Sequence, residues 1–409
     1  MTKVCVVGAG LAGLFSAVLA GERGAEVTLL ARGRGGLEVS HGCLDIWGSG
    51  DLAAAWDGLD PMHPYRLIGM PALERAVEAF LRITQAQQLP YFGDLHAPML
   101  LPTAVGALRP SNFVPRAQIA GAADEEEPLT IGNVQGFRDF YPEMVAHNLA
   151  LAGLPVAGTL TLPLSGLPAR DFYATDIARH LDNLDGFTDL LPIWEHVLDR
   201  SGVRRLLLPA VLGFRQASSI HQHLEAVLGV HLAEIPTLPP SLPGLRLERA
   251  LWQAADAAGV HLVEGPQISG LPAEITRRGH VSALSAQTAG GERIISADAV
   301  ILATGNVLHG GVRAPQQGPL EEPAFKLPIL PALRRESWAG EQLHADQPFE
   351  RAGVLVDSNL RPRNQDGGTL YENLYIAGGL LAGADRILES SRQGIDLASA
   401  WHAVEVALG

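Results

Sequence analysis

Residues 3–13, Lys3-Val4-Cys5-Val6-Val7-Gly8-Ala9-Gly10-Leu11-Ala12-Gly13, decide the fold of this chain. Residues 3–7 form an apolar run rich in β-branched side chains and predict a buried strand. A GxGxxG turn follows at once, and residues 14–23 have a helix-forming composition. Strand, glycine turn and helix in this order are typical of a nucleotide-binding βα unit. A purely structural glycine turn is the alternative interpretation.

Each glycine of this turn has a separate physical task. Gly8 allows the tight turn, Gly10 lets a pyrophosphate approach the backbone, and Gly13 lets the helix pack closely on the strand. The N–H groups at the start of the helix and its dipole favour an anion at that point. We therefore predict that a nucleotide-type cofactor is bound by Gly8, Ala9, Gly10, Leu11, Ala12 and Gly13.

Composition excludes several classes of protein. The chain has 409 residues, 47% of them apolar, and a net charge of −14. An acidic surface argues against nucleic-acid binding and against binding to anionic membranes. No apolar stretch approaches the roughly 20 residues of a membrane span. The first strand begins at residue 3, so we expect no signal peptide and a cytoplasmic location.

We predict no metal centre in this chain. The sequence contains two cysteines, Cys5 and Cys43. An iron–sulfur cluster usually needs four thiolate ligands. Few cysteines also fit a reducing compartment.

Hydrophobic patterning predicts an α/β fold, with a Rossmann-like domain that is split by an inserted second α/β domain. We assign residues 1–50 to the first part of the Rossmann-like domain, 51–240 to the insertion and 241–409 to the second part. The main predicted strands cover residues 27–30, 129–134, 155–164, 205–209, 261–264, 281–287 and 294–302. The main predicted helices cover residues 71–89, 137–152, 170–200, 245–258 and 392–408.

Three features in chain order resemble the two-domain flavoprotein oxidoreductases of the fumarate-reductase and glycine-oxidase type. They are the GxGxxG turn, a strand that ends in Ala303-Thr304-Gly305, and a strand in 373–379 that ends in Gly378-Gly379 before a C-terminal helix. The resemblance implies a flavin that lies close to Gly305, Gly378 and Gly379. A nucleotide cofactor other than a flavin is the alternative.

Longer strings resemble one family more specifically, the B-subunit family of the anaerobic glycerol-3-phosphate dehydrogenases. The strings include Ser40-His41-Gly42-Cys43-Leu44-Asp45, His63-Pro64-Tyr65 and Asn359-Leu360-Arg361-Pro362, and they recur along essentially the whole chain. The resemblance implies an FMN-type flavoprotein subunit. It also implies two partner subunits. One is an FAD-containing catalytic subunit, and the other is a membrane-attached iron–sulfur subunit. Such a complex oxidises sn-glycerol 3-phosphate to dihydroxyacetone phosphate, passes electrons to quinone, and places this chain at the inner face of the cell membrane.

The end of the second strand bears on the choice of flavin. An acidic residue usually binds the adenosine ribose there, but Leu30 is followed by Ala31 and Arg32. The missing carboxylate favours FMN. FAD is the alternative, because flavoproteins of the complex II type also do without this acid. We predict that Arg32 and Arg34 meet a terminal phosphate, and solvated loop arginines are the other interpretation. Gly33, between them, is predicted to contact the cofactor.

Oxidation of a secondary alcohol requires a base for the hydroxyl proton, and a phosphorylated substrate favours arginine. We predict catalytic roles for His41, His309 and Arg246, with Arg313 and Arg386 as further candidates. Ser40 and Gly42 are predicted to contact the flavin. A structural role is the alternative for each residue. For the whole chain, the alternatives are an independent FAD-dependent oxidoreductase of another hydroxy acid and a non-catalytic scaffold subunit.

Overall fold

The computed structural model describes residues 1–123, 127–166, 171–265, 267–268, 276–277, 279–342 and 345–409. Its packing divides the chain into two compact units. Unit 1 comprises Met1–Gly36, Asp45–Ile83 and Leu251–Gly409, and unit 2 comprises Leu37–Leu44 and Thr84–Ala250. Each unit contains helices and a parallel sheet, which confirms the predicted α/β fold class.

The described strands, in chain order, are β1 (Lys3–Val7), β2 (Glu26–Ala31), β3 (Tyr91–Gly93), β4 (Met99–Pro102), β5 (Leu108–Ser111), β6 (Phe113–Pro115), β7 (Leu129–Val134), β8 (Val156–Leu162), β9 (Arg205–Pro209), β10 (His231–Ile235), β11 (His261–Glu264), β12 (Gln267–Ile268), β13 (Thr276–Arg277), β14 (His280–Val281), β15 (Ala283–Thr288), β16 (Gly291–Ser296), β17 (Ala299–Leu302), β18 (Ile329–Leu330), β19 (Gly353–Val354) and β20 (Leu374–Ile376).

The described α-helices, in chain order, are α1 (Leu11–Glu22), α2 (Leu52–Ala55), α3 (Pro64–Ile68), α4 (Met70–Ala86), α5 (Arg116–Ile119), α6 (Pro142–Leu151), α7 (Ala174–Leu181), α8 (Leu184–Ser201), α9 (Ala217–Leu228), α10 (Leu242–Ala257) and α11 (Arg392–Leu408).

Unit 1 is built on a parallel five-stranded sheet in the order β11-β2-β1-β17-β20. The buried strand β1 lies at its centre, where Val4 pairs with Val27 of β2 and with Ala299 of β17. Helices cover parallel sheets on both faces, so their strands are apolar throughout. This is why the apolar runs located β1 and β2 correctly, whereas the edge strand β11 was located although it is largely exposed.

The single strand predicted over residues 294–302 was wrong. β16 ends at Ser296 and belongs to a small antiparallel sheet with β15 and β12, whereas β17 enters the large parallel sheet. The chain turns between them at Asp298, because the backbone N–H and the side-chain carboxylate of Asp298 both bind Lys3 of β1. Its N–H donates to the Lys3 carbonyl at 2.8 Å, and its carboxylate accepts from the Lys3 N–H at 2.8 Å.

Unit 2 contains a parallel four-stranded sheet in the order β10-β9-β7-β8, with a core of buried aliphatic and aromatic side chains on its faces. β7 and β9 have the predicted bounds, while α9 and β10 were not predicted. The helix predicted over 170–200 is two helices, α7 and α8. Asp182 ends α7 and accepts N–H bonds from Phe214, Arg215 and Gln216.

The packing units do not follow the predicted domain boundaries. Residues 45–83 pack within unit 1, where the Tyr65 hydroxyl donates to the Ile46 carbonyl at 2.9 Å. Residues 37–44 pack within unit 2, where the Ser241 N–H donates to the Glu38 carbonyl at 2.7 Å. The boundaries at 50/51 and 240/241 therefore stay a prediction about independently folding domains.

No described helix is both long enough and apolar enough to cross a membrane.

The central strand of unit 2 allows a stability test with a matched control. Leu207 on β9 is fully buried, whereas Leu151 at the end of α6 is 74% exposed. We expect Leu207→Ala to lower the free energy of unfolding by about 2–5 kcal/mol, because it leaves a cavity in the core. Leu151→Ala is expected to change it by less than about 0.5 kcal/mol. Urea denaturation followed by circular dichroism measures both, and equal effects would contradict the described core.

Candidate flavin site

The GxGxxG turn joins β1 to α1 through close contact of backbones. Gly8 has a φ of +110°, and a Cβ on it would lie 2.2 Å from the Ala303 carbonyl oxygen. A Cβ on Gly13 would lie 1.8 Å from the Gly8 carbonyl oxygen. Neither position has room for a side chain. The structure thus gives Gly8 and Gly13 the packing tasks that the sequence predicted.

The N-terminus of α1 is left without a side-chain cap. Its N-cap residue is Gly10, no side chain accepts a hydrogen bond from the first turn, and that turn contains no acidic residue. The first N–H groups of a helix have no partner inside the helix. Gly10 has an extended backbone, and a Cβ on it would lie 3.3 Å from the Gly35 carbonyl oxygen. Uncapped donors and a positive dipole end suit a phosphate group.

The end of β17 adds polar groups that sequence reasoning missed. The Thr304 hydroxyl and the Asn306 amide nitrogen are buried, and neither has a hydrogen-bond partner among the described residues. Both follow the carboxyl end of a parallel strand, which is where ligands bind in open α/β sheets. That position was the signal available in the sequence. A buried polar group without a partner is expected to meet a ligand or water.

His309 lies in the same part of unit 1. Its Nδ1 is 2.9 Å from the Asn306 Oδ1, and its ring lies about 3 Å from the position that a Cβ of Gly36 would occupy. Because a carboxamide oxygen only accepts, the His309 Nδ1 carries a proton and donates it to Asn306. A Cβ on Gly305, with φ +81°, would lie 2.6 Å from the His309 Cβ.

The end of β20 meets the start of α1. A Cβ on Gly378, whose φ is +67°, would lie 2.8 Å from the Ala12 Cβ. Beside it, a Cβ on Gly379 would lie 2.8 Å from the Arg386 guanidinium. Two glycine-containing strings that are more than 360 positions apart in the sequence are thereby brought together in unit 1.

Arg386 is buried next to this strand end. Its Nη1 lies 3.6 Å from the Asp396 carboxylate, and its Nη2 donates to the Gly379 carbonyl at 3.4 Å. Burial lowers the pKa of Arg386 and raises the pKa of Asp396 to about 6. A buried cation with long contacts has donors left for an anionic group.

The groups in unit 1 fit a phosphate-bearing flavin. The uncapped helix start can bind phosphate, the buried Thr304 and Asn306 side chains can bind polar atoms, and the glycines allow approach to the backbone. Arg32 and Gly33 are exposed in the loop after β2, and Arg313 is exposed as well. These three residues therefore contribute least to the enclosed site.

Ser40, His41 and Gly42 form a separate cluster in unit 2. The Ser40 Oγ accepts the Gly42 N–H at 3.1 Å. The two ring nitrogens of His41 each lie 3.0 Å from a donor, Nδ1 from the Cys43 N–H and Nε2 from Arg109. A neutral imidazole accepts at only one nitrogen. Only one of these two contacts can therefore be a hydrogen bond accepted by a neutral ring. Arg109 is a neighbour that the sequence did not indicate.

Arg246 is bonded within unit 2, and its predicted catalytic role stays a prediction. Its Nε donates to the Gly213 carbonyl at 2.9 Å, and its Nη atoms bind that carbonyl and both oxygens of Glu234. Arg246 and Glu234 are both buried. The guanidinium is occupied in holding β10 to the loop before α9, because a buried charge requires a bonded partner.

This arrangement predicts a stability defect. Arg246→Met leaves the buried Glu234 carboxylate unpaired, so we expect it to lower the free energy of unfolding by about 3–5 kcal/mol. Combining it with Glu234→Gln, which removes the charge and keeps an acceptor for the Leu212 N–H, should restore part of that loss. Urea denaturation of both variants measures this. Normal stability with lost activity in Arg246→Met would instead favour a catalytic role.

Comparisons with known proteins show what this chain is similar to. The FAD binding domain family matches residues 3–391. The B subunit of anaerobic glycerol-3-phosphate dehydrogenase from Pectobacterium atrosepticum is 31% identical over 99% of this chain and 98% of its own, and that from Vibrio cholerae is 29% identical over 99% and 96%. The structure of a 3-ketosteroid Δ1-dehydrogenase from Sterolibacterium denitrificans aligns with this chain at 12% identity and a TM-score of 0.47. The alignment covers 100% of this chain and 100% of that enzyme's chain.

The family match corrects one expectation and decides the family. It is a match to an FAD-binding domain, so it does not support the preference for FMN that was based on Ala31. The relatives are subunits of a dehydrogenase, and the chain is accordingly a flavin-dependent oxidoreductase subunit. This chain belongs to the B-subunit family of the anaerobic glycerol-3-phosphate dehydrogenases, within the FAD-binding domain proteins.

Proposed function

We propose that this chain is the flavoprotein subunit of a quinone-linked dehydrogenase that oxidises sn-glycerol 3-phosphate to dihydroxyacetone phosphate. The observation that carries the proposal is the similarity to subunits of that name over nearly the full length of both chains. The uncapped start of α1 beside the GxGxxG turn supports it, because it supplies a phosphate site for the flavin.

We propose FAD as the flavin. The N–H groups of residues 10–13 bind its phosphates, and Thr304 and Asn306 bind polar atoms of the cofactor. Gly305, Gly378 and Gly379 allow it to lie against the backbone, and Arg32, Gly33, Ser40 and Gly42 are further proposed contacts. When bound, the flavin supplies the hydride acceptor of the reaction.

The residues of this chain supply binding and proton chemistry. Arg386 is the proposed phosphate-binding cation, because it is buried and its contacts within the protein are long. His309 is a proposed catalytic residue at the end of β17, where Asn306 binds its Nδ1. His41 is proposed to orient groups near the cofactor, and its ring lies between Arg109 and the Cys43 N–H.

We propose that electrons pass from this chain to partner subunits. The relatives are named as the B subunit of their enzyme, and that name implies other subunits. We propose two partners that hold this chain on the cytoplasmic face of the cell membrane. One is an FAD-containing catalytic subunit, and the other is a membrane-attached iron–sulfur subunit. The two cysteines of this chain, Cys5 and Cys43, are both buried and form no disulfide.

Cofactor and turnover can be tested on the purified chain. We expect acid extraction and mass spectrometry to recover FAD, and we expect anaerobic sn-glycerol 3-phosphate to bleach the flavin absorbance. Recovery of FMN would overturn the cofactor assignment. A flavin that is reduced by another hydroxy acid but not by sn-glycerol 3-phosphate indicates a different dehydrogenase. A chain that binds no flavin indicates a scaffold subunit.

Gly10 allows a test of the phosphate site at the start of α1. Its φ of −72° and ψ of −174° are open to other residues, and Asp is a good N-cap. We expect Gly10→Asp to keep the fold and weaken flavin binding by about 30-fold or more, because its charge replaces the phosphate at the helix dipole. Gly10→Asn, the uncharged control, should weaken binding less. Equal dissociation constants for the two variants in flavin titrations would contradict a phosphate at this helix.

A further inference from the structure

Glu350 is a buried carboxyl group without a hydrogen bond. It lies in the short 3-10 turn Pro348–Arg351, its residue is 4% exposed, and neither side-chain oxygen has a hydrogen-bond partner among the described residues. Glu322 is also buried in unit 1, yet its carboxylate accepts the N–H groups of Ala324 and Phe325 at 2.7 and 2.6 Å. Leaving a carboxyl group buried and unbonded costs free energy, so Glu350 requires an explanation that Glu322 does not.

The turn that carries Glu350 lies beside the segment with the predicted flavin glycines. Directly after it, a Cβ on Gly353 would lie 2.5 Å from the Leu380 carbonyl oxygen, and Val354 bridges to Leu381. Leu380 follows Gly378-Gly379. Glu350 is therefore held near the carboxyl end of β20, at the same place as Arg386.

Charged groups from two further segments act on Glu350. Arg386 and Asp385 precede the last helix, and Arg392 begins it. Burial raises the pKa of Glu350 above its usual value, Asp385 raises it further, and the two arginines oppose this shift. A carboxylate with a raised pKa is a stronger base than an exposed one, and an adjacent cation keeps part of its population ionised.

We propose that the Glu350 carboxylate is the base that accepts the hydroxyl proton of the secondary alcohol. This inference rests on the proposed function. The substrate C–H bond breaks and its hydride, with the electron pair, goes to the flavin. The O–H bond breaks, its proton goes to a Glu350 oxygen to form the carboxylic acid, and the C=O bond forms. The alcohol is oxidised and the flavin is reduced by two electrons.

A buried base must release its proton to solvent after each turnover, and the neighbouring residues provide a route. The Asp385 Oδ2 lies 3.5 Å from the Arg351 Nη2. Arg351 lines a cavity of about 430 Å³ together with His63 and Glu389. His63 accepts the Tyr65 N–H at Nδ1, so its Nε2 carries a proton toward Glu389 at 3.2 Å. The turn that carries Glu350 therefore borders this cavity through Arg351.

The kinetic test uses Glu350→Gln, with Glu322→Gln as the matched control. Rapid mixing with sn-glycerol 3-phosphate measures the rate of flavin reduction and the dissociation constant of the substrate. We expect Glu350→Gln to slow reduction by about 10²–10⁴-fold at an almost unchanged dissociation constant. In the wild type the rate rises with pH as Glu350 loses its proton, and the variant loses this rise. Glu322→Gln should reduce the flavin at the wild-type rate.

Thermal unfolding of the flavin-free chain supplies a readout that does not depend on turnover. The pKa of Glu350 is higher in the folded state, so the folded state binds more protons, and stability falls as pH rises from the unfolded value to the raised one. The side chain in Glu350→Gln cannot ionise, so this variant does not lose stability for this reason as pH rises. We expect its Tm to match the wild type near pH 4 and to exceed it by about 1–3 °C at pH 8. Glu322→Gln should lower Tm, because it weakens bonds to three backbone N–H groups.

The outcomes separate the two proposals. If the wild type is reduced by sn-glycerol 3-phosphate and Glu350→Gln is reduced equally fast, Glu350 is not the base and the proposed function stands. If His309→Gln alone abolishes the pH-dependent rise, the base is His309. If the wild type binds flavin but sn-glycerol 3-phosphate never reduces it, this inference falls, and the chain relays electrons from its catalytic partner. If another hydroxy acid reduces the flavin instead, the proposed function falls.

Discussion

The close approach of three backbone segments at the GxGxxG turn is the constraint on which unit 1 depends. The Ala303 carbonyl oxygen lies where a side chain on Gly8 would be, and the Gly8 carbonyl oxygen lies where a side chain on Gly13 would be. A single added methyl group would overlap one of these oxygens. Close packing here holds β1, α1 and β17 in fixed positions, and the carboxyl ends of the strands and the start of α1 consequently face one place.

A carboxylate lies before α9 in unit 2, whereas the first turn of α1 in unit 1 contains no acidic residue. In unit 2, Asp182 supplies a carboxylate to the N–H groups of Phe214, Arg215 and Gln216 just before α9. In unit 1, the first turn of α1 receives no carboxylate from its own side chains. Both helix starts attract negative charge. Asp182 places a negative charge before α9, whereas the start of α1 is available to a bound anion.

Individual buried polar groups differ in whether the protein itself binds them. Arg246 and Glu234 in unit 2 are joined by several hydrogen bonds, and this satisfies both charges. In unit 1, Thr304, Asn306 and Glu350 have buried atoms without partners among the described residues. Such groups reduce stability when no ligand is bound, and proteins retain them mainly at sites of function. Their placement at the ends of β17 and β20 supports a flavin and substrate site there.

The sequence by itself determined the fold class, the glycine turn and most strands of the central sheets. Apolar runs and glycines act locally, so β1, β7, β9 and β11 could be located without tertiary information. The family was also recognisable, because its strings extend along the whole chain. Prediction of strands from the sequence failed where one apolar run continues through a turn, as between β16 and β17.

Only the tertiary structure decided what each candidate side chain contacts. Arg246 was a reasonable candidate for phosphate binding until its guanidinium was found on Glu234 and Gly213. Asn306 and Glu350 have ordinary neighbours in sequence, and only the folded chain shows that they are buried without partners among the described residues. The physical reason is that strand and turn preferences depend on nearby residues. Hydrogen bonding and burial of a charged group depend on residues distant in sequence, which only folding brings together.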